Sequence, residues 1–156
     1  MVKVLFICHG NICRSPMAEF VMKDLVKSSH LDSMFHIESA ATSYEEIGNS
    51  VYPPARRELA RHGISCDGKQ ARKLVKHDFK DFDYLIAMEE YNLRNIRREF
   101  GQELASQVKL LLDYTDESGD IDDPWYTGNF DITYDDIMEG LEAFLKYLEK
   151  EGILQK

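Results

Sequence analysis

In the stretch LFICHGNICRSP, residues 5–16, a cysteine closes an apolar run and an arginine follows six places later. His9, Gly10, Asn11, Ile12 and Cys13 lie between Cys8 and Arg14, and Ser15-Pro16 comes directly after. Such a loop between a strand and a helix is an anion site: backbone N–H groups converge there and the helix dipole adds partial positive charge. A guanidinium in the same place offers a planar fork to two phosphate oxygens. That field also stabilises a thiolate, so a cradle able to hold phosphate activates Cys8 as a nucleophile. Gly10 and Asn11 tolerate the unusual dihedrals of a tight loop. The structural alternative is an ordinary turn with a buried thiol and Ser15 acting only as a helix cap. A Cys and an Arg six apart are weak evidence alone, but the preceding strand and following helix favour phosphate chemistry.

The elements that must position this loop follow from periodicity. VKVLFI, residues 2–7, reads as a strand buried on both faces. A helix is expected from about 16 to 28, with Ser15 as N-cap, Pro16 in the first turn and Met17, Phe20, Val21 and Leu25 facing inward. MFHIESA reads as a second strand, TSYEEIGNSVYP as a loop, and 54–62 as a helix stopped by Gly63. DYLIAM is a third strand, followed by a helix carrying Leu93, Ile96 and Phe100 and closed by Gly101. QVKLLLD is a fourth strand, an acidic loop spans about 113–132, and a helix with Ile137, Met138, Leu141, Leu145 and Leu148 on one side runs from about 134 to 150. Strands alternating with helices mean crossovers, hence a parallel sheet covered on both faces. Ligands of open sheets sit at the carboxyl ends of the strands where the order reverses, and in a flavodoxin-like order the first strand lies there.

Bulk properties narrow the classes further. A chain of 156 residues is long enough to bury a core without staples, and no apolar run approaches a membrane span. The amino terminus has no secretory signal pattern, so a cytoplasmic location is expected. Cys8, Cys13 and Cys66 cannot all pair within the chain, which fits a reducing compartment. They cannot build a four-cysteine zinc site, and His9, His30, His36, His62 and His77 show no ligand spacing, so neither metal nor cofactor is expected. The net charge of −9 argues against nucleic acid and anionic lipid as partners. Charge is uneven, with eleven Asp or Glu and no Lys or Arg between Leu110 and Phe144; most of these read as solvated faces.

LFICHGNICRSPMAE resembles the signature of the low-molecular-weight protein tyrosine phosphatases, and DDPWY at 122–126 is similar to that family's second motif. SAATS, HGI and FDYLIAM fall where the family has similar segments, so the likeness spans nearly the whole chain. It implies one domain over residues 1–156, of α/β class, with a three-layer, four-stranded parallel sheet in the order 2-1-3-4. It also implies Cys8 as nucleophile, His9 to Arg14 as phosphate-binding loop, Asp123 as general acid, and Asn11, Ser15 and Ser39 as supports of the loop. A histidine often joins that network in the family; the matching position here is Gly68 or Lys69. The implied substrate is a phosphotyrosine-containing protein, with inorganic phosphate as product and inhibitor and a monomer as the working form.

Several readings of single residues stay open. Pro124 biases Asp123 toward an extended conformation, which makes it a better acid than Asp122; an exposed acidic loop is the structural alternative. Trp125 and Tyr126 are candidate walls of a narrow pocket, with Tyr44 opposite, although loop aromatics often serve only to pin a loop. Cys13 is either a small buried residue or the partner of an oxidised Cys8 in a reversible disulfide. Arsenate reductase is a rival class, but it needs a relay of resolving cysteines and only Cys66 lies outside the loop. A phosphotyrosine-binding module without turnover is expected to lack the nucleophile or the acid, and both are present.

Overall fold

The structure is a computed structural model and describes residues 1–154. Four parallel strands form one sheet in the order β2-β1-β3-β4: β1 (Val2–Cys8), β2 (Phe35–Ala41), β3 (Tyr84–Ala87) and β4 (Val108–Leu110). This is the expected class and strand order. Strand β1 is central and buried on both sides because its alternate residues serve two cores. Val4, Phe6 and Cys8 join α1 (Arg14–Ser28), α2 (Pro53–Arg61) and α7 (Phe130–Lys150) through Met17, Val21, Leu59, Leu141 and Phe144. Leu5 and Ile7 face the opposite layer of α3 (Asp78–Asp81), α4 (Glu90–Phe100) and α5 (Gln102–Ala105), meeting Phe79, Ile96 and Ala105. Connections from β1 and β3 leave to opposite sides of the sheet, so a crevice opens at their carboxyl ends. The Cys8 loop and the first turn of α4 border that crevice.

Local chemistry shifts several boundaries. Helix α1 begins at Arg14 rather than 16, with Cys13 at the N-cap position, so Ser15 does not cap it. The fourth strand stops at Leu110, where Asp113 accepts a hydrogen bond from the Leu110 N–H (3.0 Å) and the chain turns into a 3-10 segment, Leu111–Tyr114. Within the expected acidic loop lies a short helix, α6 (Pro124–Thr127). Helix α7 starts at Phe130, four residues before the expected 134, and Phe130 packs near Tyr52 with ring centroids 6.0 Å apart. None of the described helices is long and apolar enough to cross a membrane.

Candidate active site

Loop 9–13 is held from outside by its carbonyl groups. Cys8 and His9 carbonyls accept from the N–H groups of Thr42 (2.9 Å) and Ser43 (3.1 Å), and those of Ile12 and Cys13 accept from Tyr52 (2.9 Å) and Met17 (3.0 Å). Because a trans peptide points its N–H away from its C=O, the N–H groups of His9, Gly10, Cys13 and Arg14 are turned to the inside of the loop. Asn11 supplies the tight bend at φ 59°, a conformation that Asn tolerates better than most residues.

The sulfur of Cys8 lies on the floor of this ring, 3% exposed as a residue. It accepts from the N–H groups of Asn11 (3.3 Å) and Ser15 (3.4 Å), and the Ser15 hydroxyl lies 3.0 Å away. A chain of hydrogen bonds sets the direction of that hydroxyl. Asn11 Nδ2 donates to Ser15 Oγ (2.8 Å) and Ser39 Oγ (2.9 Å), and Ser39 Oγ donates to Glu19 Oε1 (2.5 Å). With its lone pair engaged by Asn11, Ser15 has its own proton free for the sulfur. Glu19, buried inside α1, is held by Lys23 (2.6 Å) and Lys69 (3.3 Å), and Lys69 also donates to the Ser39 carbonyl (3.0 Å). Of the two positions left open by the sequence, Lys69 is the one that enters the network; Gly68 is a turn residue with φ 85°. Burial lowers the Lys69 pKa against the pull of Glu19.

Arg14 is 1% exposed and needs anionic partners to be there at all. Glu89, just past β3, accepts from its Nη1 at 2.6 Å, the Ile121 carbonyl accepts from the same nitrogen at 3.0 Å, and Asp123 Oδ2 lies 3.3 Å from Nη2. Burial works against the charge, but Cys8, Asp123 and Glu89 outweigh it and raise the guanidinium pKa. Asp123 precedes Pro124 and is the N-cap of α6, its Oδ1 accepting from the Trp125 N–H (3.0 Å). Local capping therefore aims one carboxylate oxygen down the chain and leaves the other toward Arg14. Asp122 is exposed and does not line the cavity.

Above the loop opens a cavity of about 320 Å³ bordered by Tyr91, Trp125 and Tyr126. Trp125 is braced by Tyr52, ring centroids 4.7 Å apart. Tyr44, expected as the opposite wall, is 73% exposed and turned away, its ring under the Lys73 ammonium at 4.9 Å. Its neighbours Glu45 and Glu46 line the cavity instead. Glu89 and Tyr91 escaped the sequence reading; the signal available was their place at the carboxyl end of the strand beside β1. Cys13 packs with Ile12 and Ala71, and burial pushes its thiol far up in pKa, reinforced by Cys8 and Asp123. Cys66 is buried beside α2 and does not line the cavity. Among the described residues no group of three or more His, Cys, Asp or Glu is placed to hold a metal ion.

Residues 3–154 match the family model of the low molecular weight phosphotyrosine protein phosphatases. The chain belongs to that family. It is 42% identical to the low molecular weight protein-tyrosine-phosphatase YfkJ of Bacillus subtilis, over 97% of this chain and 98% of the relative. The family's phosphatase from Gallus gallus is 40% identical, over 92% of this chain and 93% of its own. The YfkJ crystal structure superposes with a TM-score of 0.92, covering 97% and 96% of the two chains. A more distant structure, the YwlE arginine phosphatase in a mutant form with a phosphorylated active-site serine, has a TM-score of 0.85 at 28% identity, covering 99% and 100%.

Proposed function

We propose that this chain is a protein-tyrosine phosphatase working through a phosphocysteine without a metal. The observation that carries the reading is the buried Cys8 sulfur, ringed by inward N–H groups, with Arg14 and Asp123 joined at 3.3 Å beside it. Among the described residues Glu89, Ile121 and Asp123 occupy three N–H groups of Arg14, which leaves two for phosphate oxygens. The Cys8 thiolate attacks phosphorus, and the bond from phosphorus to the aryl oxygen breaks. Asp123 gives its proton to the departing phenolate. The loop N–H groups and Arg14 hold the three equatorial oxygens as charge spreads over them. Asp123 then takes a proton from water, which displaces the sulfur and releases inorganic phosphate. Tyr91, Trp125 and Tyr126 grip an aromatic ring, which favours phosphotyrosine over shorter alcohol esters. The three free cysteines fit a reducing cytoplasm, and the working form is a monomer.

Steady-state assays with phosphotyrosine, phosphoserine and phosphoarginine, and with arsenate plus a dithiol reductant, all without added metal, test the substrate class. Phosphoarginine is included because YwlE carries the name of an arginine phosphatase. Phosphotyrosine is expected to turn over fastest, and a preference for any of the other three refutes the reading. Cys8→Ser is expected to lose turnover by about 10⁴-fold or more while still binding phosphate. Rapidly quenched wild-type reactions should show a phosphoryl group on Cys8 by mass spectrometry, and its absence there removes the proposed intermediate.

A further inference from the structure

The mouth of a cavity built for a dianion carries two carboxylates that the phosphoryl chemistry does not use. Glu45 and Glu46, in the loop after β2, border it beside His9 and Gly10. Glu46 is anchored close to the phosphate loop: its Cγ lies 3.4 Å from where a Gly10 Cβ would stand, and its Oε2 accepts from Asn49 Nδ2 (2.6 Å). The Glu45 side chain is 70% exposed, with Oε2 3.0 Å from His9 Nε2. Among the described residues lining the cavity there is one Arg and no Lys, and that residue, Arg14, is already tied to Glu89 and Asp123. Arg98 belongs to the adjoining cleft beyond Tyr91, where it donates to Asn95. Carboxylates so placed repel a bare phosphate ester and any acidic residue next to it.

That repulsion is offset when the substrate brings positive charge to the same lip. Resting on the phosphotyrosine reading, we propose that Glu45 and Glu46 select phosphotyrosines flanked by lysine or arginine and disfavour those flanked by acidic residues. Neighbouring residues of an extended peptide lie about 3.5–7 Å from the phosphotyrosine Cα, so a long basic side chain reaches the lip while the ring sits between Tyr91 and Trp125. The pairing is exposed, and its strength falls with salt.

The test uses three phosphotyrosine peptides of equal length with Lys, Ala or Glu on both sides, assayed for kcat/KM with the wild type, Glu46→Gln and the double variant Glu45→Gln/Glu46→Gln. Each rate is divided by that of the Ala peptide in the same enzyme, so partial loss of folded protein cancels. The wild type is expected to favour the Lys over the Glu peptide by about tenfold at low salt, the worth of two exposed pairs. The ratio should shrink at high salt, fall part-way in Glu46→Gln and approach one in the double variant. A ratio unchanged by the substitutions, or a wild type that favours Glu, overturns the proposal while leaving the phosphatase reading intact. Absence of turnover with all peptides and with free phosphotyrosine overturns both.

Discussion

At the scale of single residues, the site divides between groups that touch the transferred phosphoryl and groups that aim them. Asp123 belongs to the first set, and its value depends on how badly the leaving group needs a proton. Asp123→Ala is expected to slow phenyl phosphate by about 10²–10⁴-fold and p-nitrophenyl phosphate much less, read as a steeper dependence of kcat on leaving-group pKa. Equal losses on both substrates assign the proton to another group. Lys69 belongs to the second set, five polar contacts from the sulfur by way of Glu19, Ser39, Asn11 and then Ser15. Lys69→Met leaves the buried Glu19 with Lys23 as its cation and loosens the Ser39 hydroxyl. Alkylation of Cys8 by iodoacetamide at pH 6, located by mass spectrometry, should then slow by up to about tenfold, the worth of one weakened charged hydrogen bond. Lys69→Arg should restore most of the rate; a Met variant that alkylates normally shows that Lys69 is a packing residue.

At the scale of elements, strands and helices with a clean period are where the residues announce them. Leu93 and Ile96 give α4 its inner stripe, and Gly101 ends it at φ 94°. Misplaced boundaries have causes that periodicity does not register. Ser15-Pro16 looks like a cap followed by a first turn, yet the Ser15 hydroxyl is turned to the Cys8 sulfur and the helix starts two residues earlier. Phe130 and Thr133 begin α7 inside a segment whose acidity made it read as loop, because packing against Tyr52 outweighs the polar surroundings. Gly140 in the middle of α7 marks a close approach: a Cβ there would stand 2.5 Å from Leu111 Cγ, and Leu111 is fully buried. Gly140→Ala gains up to about 1 kcal/mol of helix propensity but overpacks this contact. It is expected to lower stability by roughly 1–3 kcal/mol in urea titration, whereas a stabilised variant means that the 3-10 segment yields.

At the scale of the whole molecule, two cores share β1, so the loop that ends this strand is braced from both layers. We expect unfolding as one cooperative unit, with circular dichroism and tryptophan fluorescence giving the same midpoint. Inorganic phosphate at about 100 times its dissociation constant should add ~2.7 kcal/mol and raise Tm by about 5–10 °C. Cys8→Ser should keep most of that shift, and Arg14→Met should lose it; equal shifts in all three place phosphate outside the loop. What the chain determined by itself was largely set by short-range geometry: the strand-loop-helix around Cys8 and Arg14, the Asp-Pro step that holds Asp123 extended, and the apolar run that buries β1. Tertiary structure alone decided which distant residues complete the site. Glu89 reaches Arg14 across 75 positions and Lys69 reaches Glu19 from another segment, while Glu45 and Glu46 replace Tyr44 at the cavity edge. The physical reason is that periodicity reports which face of an element is buried, whereas the partner covering that face is chosen by packing between elements far apart in the chain.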